Sequence, residues 1–183
     1  RLTVGDTPRT EGIVDFFSES MTRYVLIPSA ATLRRDLVMD VGGFPEGMRM
    51  GEDQWLWTVL ARRAAVAFTP QPLAVYSRTA SNRSAAIFRP ESTSHSLYEL
   101  YDPAAEAMSN EYIARVALGK ALVQSAGGDT AAAAEALRLF SYNRLSRRIA
   151  LKVRVLNALP RRVRPAVLSM YNRLAWLLAR KGL

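Results

Sequence analysis

A chain of 183 residues with 49% hydrophobic content can hold one ordinary domain, or a small domain with an appendage. It contains no cysteine, which excludes disulfides, zinc–thiolate sites and thiol nucleophiles. No apolar run reaches the roughly 18 residues that a membrane-spanning helix needs, and no signal peptide is visible. The chain begins with Arg1 and not with Met, as a piece of a longer protein would. Its net charge of +9 is unevenly placed. After Glu135 there is no Asp or Glu, while Arg138, Arg144, Arg147, Arg148, Lys152, Arg154, Arg161, Arg162, Arg164, Arg173, Arg180 and Lys181 all follow it. The basicity therefore belongs to the tail and does not characterise the whole protein.

Residues 1–23 read as a loop and a short helix, with Ile13, Phe16 and Phe17 on one apolar face. Tyr24-Val-Leu-Ile27, rich in β-branched and aromatic residues and stopped by Pro28, reads as a buried strand. Ser29 or Thr32 would cap the next helix, with Leu33, Leu37, Val38 and Val41 as its apolar positions. Gly42-Gly43 would end it, because glycine reaches the left-handed conformation of a helix exit.

A further helix is expected from Glu52 or Asp53, with Trp55, Leu56, Val59 and Leu60 on its apolar side and Arg62-Arg63 in its last turn. Ala65–Thr69 and Leu73–Tyr76 read as strands, and 77–94 as a polar loop. Beyond Ser96 the chain reads as helical: Leu97–Ser109, Asn110–Ser125, and, after a Gly127-Gly128-Asp129 turn with Asp129 or Thr130 as cap, Ala131–Asn143. Two more helical stretches, roughly 145–158 and 165–180, are separated by Pro160 and Pro165.

The chemistry-bearing run is Val41-Gly-Gly-Phe-Pro-Glu-Gly-Met-Arg-Met-Gly-Glu-Asp-Gln-Trp-Leu-Trp57. Two adjacent carboxylates follow a glycine and open an amphipathic helix. The helix dipole favours their ionised forms, whereas burial against Trp55 and Trp57 opposes ionisation. That balance suits a general base that takes a proton from a hydroxyl. The plainer reading is that Glu52 and Asp53 serve only the helix start.

The order of elements from about residue 20 to 85 resembles the acceptor side of the GT-A domain in family 2 glycosyltransferases. The resemblance rests on the strand before Pro28, Arg34-Arg35, Gly42-Gly43-Phe44, Gly51-Glu52-Asp53, Leu56-Trp57 and Leu73-Ala-Val-Tyr76. It implies an α/β fold, a partial GT-A (Rossmann-like) domain followed by an all-α extension. It implies inverting transfer of a sugar from a nucleotide-sugar donor to a saccharide or lipid-linked acceptor. Asp53 would be the catalytic base, and Glu52 would support the acceptor or the helix start. Gly43 and Phe44 would shape the acceptor loop. Trp55 and Trp57 would stack on a sugar or, the favoured reading, fill the core.

The donor half of that family, with its Asp-X-Asp metal motif, does not precede the Gly-Gly-Phe segment; Asp6 and Asp15 are isolated. A divalent Mg or Mn ion is expected of the full-length family, with no ligands from this chain and with the leaving diphosphate as its charge to neutralise. The isolated chain is accordingly expected to bind donor poorly. Where relatives place a histidine after the tyrosine, this chain reads Tyr76-Ser77-Arg78-Thr79, so Arg78 or Arg83 would meet diphosphate, or simply lie in a solvated loop. His95, the sole histidine, has no metal partner set and reads as surface or cap.

In the tail, Ile149, Val153, Leu156 and Leu159, then Val167, Met170, Tyr171, Leu174, Leu177 and Leu178, recur at helical spacing between arginines, with Trp176 near the end. Such helices suit an anionic membrane surface, or pack on the domain or a partner with solvated arginines. Nucleic acid is the weaker reading, since no recognised binding motif accompanies the charge. The expected organisation is thus an acceptor-side half-domain over 1–95, a helical hairpin over 96–143 and a basic amphipathic tail over 144–183. The expected location is the cytoplasm, peripheral on the inner membrane face. Two rivals remain: a non-enzymatic helical interaction module working through 96–183, and a degenerate glycosyltransferase without donor and metal binding.

Overall fold

A computed structural model of the chain describes residues 11–22, 25–48, 51–75, 97–104 and 107–180, without the side chains of 175–180. The fold is mostly helical with a small two-stranded sheet, compatible with the α/β class. The chain divides into two compact units, Arg1–Ile113 and Ala114–Leu183.

In the first unit, β1 (Gly12–Val14) pairs antiparallel with β2 (Val66–Phe68), with Ile13 opposite Ala67. Ile13 therefore lies on a strand, 73% exposed, and not on the helical face with Phe16 and Phe17 expected from its spacing. The cause is the cap of α1 (Phe16–Ser20). The Asp15 Oδ1 atom accepts from the backbone N–H groups of Phe17 (3.1 Å) and Ser18 (3.2 Å). An N-cap residue is itself extended, so the helix cannot begin earlier, and the backbone before it is free to pair with β2.

Of the expected strand Tyr24–Ile27, residues 25–27 are outside any ladder and Tyr24 lies outside the described residues. Val25 is buried, and Pro28–Ala30 form a single 3-10 turn. The expected strand at Leu73–Tyr76 is likewise absent over 73–75, where Leu73 and Val75 are exposed; Tyr76 lies outside the described residues. β-branched composition makes a strand only where a neighbour takes its backbone groups. Among the described residues only β1 and β2 find one another.

Helix α2 (Arg35–Asp40) is shorter than its apolar pattern suggests. Neither Ser29 nor Thr32 caps it; the N-cap is Arg34, whose side chain pairs instead with Asp36. Its exit is as expected. The N–H of Gly42 donates to Met39 O (3.1 Å) and that of Gly43 to Val38 O (2.9 Å), with both glycines at positive φ. This is the Schellman pattern, which satisfies two terminal carbonyls and turns the chain sharply.

Helix α3 (Glu52–Ala61) buries Leu56, Trp57 and Thr58. Of the expected helix Leu97–Ser109, the described residues show a 3-10 turn at Leu97–Leu100, non-helical backbone at 101–104 and 107, and helix only from Met108. Pro103 lacks an N–H and turns the preceding residue away from helical geometry. The buried Asn110 side chain then clasps the Asp102 backbone, accepting from its N–H at 3.2 Å and donating to its carbonyl at 2.6 Å. Helix α4 (Met108–Gly127) begins at this clasp. Tyr112 near its start meets Phe16 and Phe17 edge-on or tilted, at 5.5 and 5.9 Å between ring centroids.

The second unit contains the rest of α4 with α5 (Thr130–Phe140), α6 (Arg147–Ala158) and α7 (Arg164–Arg180). Helix α4 stops by the same device as α2: Gly128 at φ 101° donates to Ser125 O and Asp129 N–H to Gln124 O. Asp129 then caps α5, accepting from Ala132 N–H at 3.0 Å. Buried Ala117, Ala121, Ala133, Ala136 and Ala150 let helix backbones approach closely, and Phe140 and Val153 fill the interior. Helix α6 packs on α5. The inner half of the tail's apolar pattern, Val153 and Leu156 with Ala150, is thus consumed inside this unit.

Candidate functional site

The expected site residues fall on two neighbouring pieces of the first unit: the loop leaving α2 and the first turns of α3. Gly43 completes the exit of α2, which delivers Phe44 directly after the turn. Phe44 is 47% exposed, yet its ring meets that of Trp57 at 6.4 Å between centroids and 73° between planes. Trp57 is 3% exposed and belongs to the core, whereas Trp55 is half-buried. Edge-to-face geometry places the positive rim of one ring against the negative face of the other. The Gly-Gly-Phe loop is thereby held against the helix that opens with the two carboxylates.

The carboxylates occupy the first turn of α3 behind a glycine cap. Gly51 is the N-cap, at φ 88°, a backbone shape that L side chains rarely adopt. A Cβ there would lie 3.5 Å from both Met48 and Gln54, and Met48 itself is buried beneath the turn. Neither Glu52 nor Asp53 is therefore the cap residue. Asp53 is half-buried and its Oδ1 accepts the backbone N–H of Gln54 at 2.7 Å, one of the donors that a helix start leaves open. Glu52 is half-buried too. Its Oε2 is fully shielded and has no hydrogen-bond partner among the described residues, and neither has the buried Trp57 Nε1. A shielded carboxylate oxygen without a donor is costly, and a ligand hydroxyl or a water relieves that cost.

The C-terminal end of α3 is fixed by a residue that the sequence marked only as helix-ending charge. Arg62 donates to Leu100 O at 2.7 Å and to Ser109 Oγ at 3.0 and 3.2 Å, tying α3 to the segment before α4 and to the first turn of α4. Burial pulls this guanidinium below its ordinary value, opposed by the Asp102 carboxylate. The clue available in the sequence was two adjacent arginines, which says nothing of a partner nearly fifty positions onward.

Arg78, Arg83 and His95 lie outside the described residues. Among the described residues no group of three or more His, Cys, Asp or Glu side chains is arranged to hold a metal ion.

No family model matches the chain, and neither a curated protein nor a solved structure matches it. The finer identity of the site therefore rests on its own geometry.

Proposed function

We propose that this chain carries the acceptor side of a GT-A type, family 2, inverting glycosyltransferase that moves a sugar from a nucleotide donor to a hydroxyl acceptor. The observation that carries this reading is the Phe44–Trp57 contact, which holds a half-exposed aromatic ring against α3, the helix whose first turn carries Glu52 and Asp53. An exposed ring beside two carboxylates is a common way to grip a sugar: the ring covers its apolar face while acids accept its hydroxyls.

In the proposed step, Asp53 takes the proton of the acceptor hydroxyl as its oxygen bonds to the anomeric carbon. The bond from that carbon to the donor's phosphate oxygen breaks on the opposite side, the configuration inverts, and the nucleoside diphosphate leaves. Glu52 receives a second acceptor hydroxyl at its open oxygen. Phe44 positions the ring. Donor recognition, including the Arg78 and Arg83 contacts with diphosphate and the divalent metal, belongs to the same proposal, with a lipid-linked or polysaccharide acceptor at the cytoplasmic face of an envelope membrane.

The test is Asp53→Asn in the intact protein. Turnover should fall about 10²–10⁴-fold, the usual contribution of a positioned base, with the circular dichroism unchanged. Near-normal turnover would remove Asp53 from the mechanism. The competing reading, a structural helix start in an interaction module, is favoured by the Asp53–Gln54 backbone contact. Under it the same substitution costs only stability.

A further inference from the structure

The exposed apolar side chains of α7 and its approach lie along one line. Val163, Val167, Met170 and Leu174 are spaced by four, three and four residues, one stripe of a helix. Met170 is 58% and Leu174 52% exposed, Val163 is exposed and Val167 half-buried. The stripe is not the side by which α7 packs. The buried Arg164 and the half-buried Leu168 sit at helical angles well away from it.

Cationic groups border the stripe on both sides. Arg173, exposed, falls along one edge, and Arg162, also exposed, stands in the turn just before α7. Tyr171 falls along the other, with Lys152 of α6 over its ring at 4.3 Å from the centroid and bonded to its hydroxyl. Residues 136–183 contain no acidic side chain at all.

We propose that this outer face of α7 docks in the plane of an anionic phospholipid surface. The basic edges meet the phosphates while Val163, Met170 and Leu174 enter the boundary between headgroup and acyl chain. The charge alone would also suit nucleic acid, but a polyphosphate would leave the apolar stripe against water and charge. No helix among the described residues is long and apolar enough to cross a membrane, so α7 lies on the surface. This inference does not rest on the carbohydrate reading. It also separates the two halves of the tail: α6 spends its Val153 and Leu156 face internally, and α7 supplies the docking face.

The experiment is flotation of the full chain with vesicles of phosphatidylcholine alone and of phosphatidylcholine with phosphatidylglycerol in equal parts. Binding to the anionic vesicles should exceed binding to the neutral ones by tenfold or more, on the order expected for a few basic side chains near the surface, and should fall as salt rises. The pair Met170→Asp and Leu174→Asp should abolish it with unchanged circular dichroism, since both positions are exposed. Because the chain has no cysteine, Met170→Cys carries a single environment-sensitive fluorophore, whose emission should shift to the blue on anionic vesicles only. Absent binding, equal binding to neutral vesicles, or an unshifted label overturns the proposal. So does tighter binding to a duplex oligonucleotide that survives the two aspartates, which assigns the tail's charge to nucleic acid and leaves this apolar face unused.

Discussion

Phe44 and Trp57 meet edge-on although one is half in solvent and the other is core. The contact ties a loop residue to the interior: displacing the loop leaving α2 loses the ring contact with Trp57. Phe44→Ala should therefore lower stability by only about 1 kcal/mol, the range for an aromatic pair, while Trp57→Ala should cost about 3–5 kcal/mol. Urea midpoints of the two variants check this. Equal losses would mean that Phe44 is not tethered through Trp57.

Gly42 and Gly43 isolate backbone strain from packing. Both sit at positive φ, and a Cβ at either would meet nothing within 4 Å. Gly42→Ala should thus cost about 1–2 kcal/mol through backbone conformation alone, and Gly42→Asn should recover part of that, since asparagine visits the left-handed region more readily. Thermal unfolding of the pair decides it. Equal destabilisation by both would point to a lost contact and not to backbone shape.

These glycine exits were legible in the sequence, as were Asp129 as a cap, the start of α3 and the strand around Val66–Phe68, because each is written in a few adjacent residues. Non-local facts were not. β1 is three residues long, and its partner lies far down the chain, so Ile13 was indistinguishable from the helical face of Phe16 and Phe17. Tyr24–Ile27 and Leu73–Tyr76 have strand composition, but composition does not supply a neighbouring strand. The tail's two amphipathic segments look alike in sequence; only packing shows that Val153 and Leu156 of α6 are covered while Met170 and Leu174 of α7 are open. At the candidate site, the two carboxylates and the aromatic positions were readable, whereas the Gly51 cap, the buried Met48 and the Arg62 tie depended on tertiary geometry.

Asp15 gives the fold a pH signature. The Ser18 hydroxyl, donating at 2.6 Å, is the main reason its carboxyl is held below the ordinary aspartate value of 3.8; backbone N–H groups of Ser18 and Phe17 add to this, against a desolvation that works the other way. The native state thus binds the proton more weakly than the unfolded chain. The contribution is complete above 3.8 and is lost as pH falls through the lowered native value. Asp15→Asn keeps a capping oxygen but cannot titrate, so the difference in urea midpoint between it and the parent should change in acid and level off above pH about 5. A difference independent of pH would detach the cap from this titration. Asp15→Ala, which removes the cap itself, should cost about 1 kcal/mol at neutral pH.

Arg164 closes the second unit by donating to carbonyls at the ends of two helices. Its Nε donates to Leu159 O at 2.8 Å, and its terminal nitrogens donate to Asn157 O at 3.1 Å and Ser125 O at 3.4 Å. The acceptors come from the ends of α6 and α4, where the helix dipole is negative, so the charge and the donors act together. Only a planar fork reaches several carbonyls around one point; an ammonium on a flexible stem does not reproduce that geometry. Arg164→Ala should therefore cost about 3 kcal/mol, from the lost hydrogen bonds of a charged donor and from the part-buried Leu159 and Asn157 carbonyls left without it. Arg164→Lys should recover less than half of that loss. Full recovery by lysine, read from urea midpoints, would show that charge alone and not the fork holds these helix ends. A loss under about 0.5 kcal/mol in Arg164→Ala would show that water replaces the guanidinium without penalty.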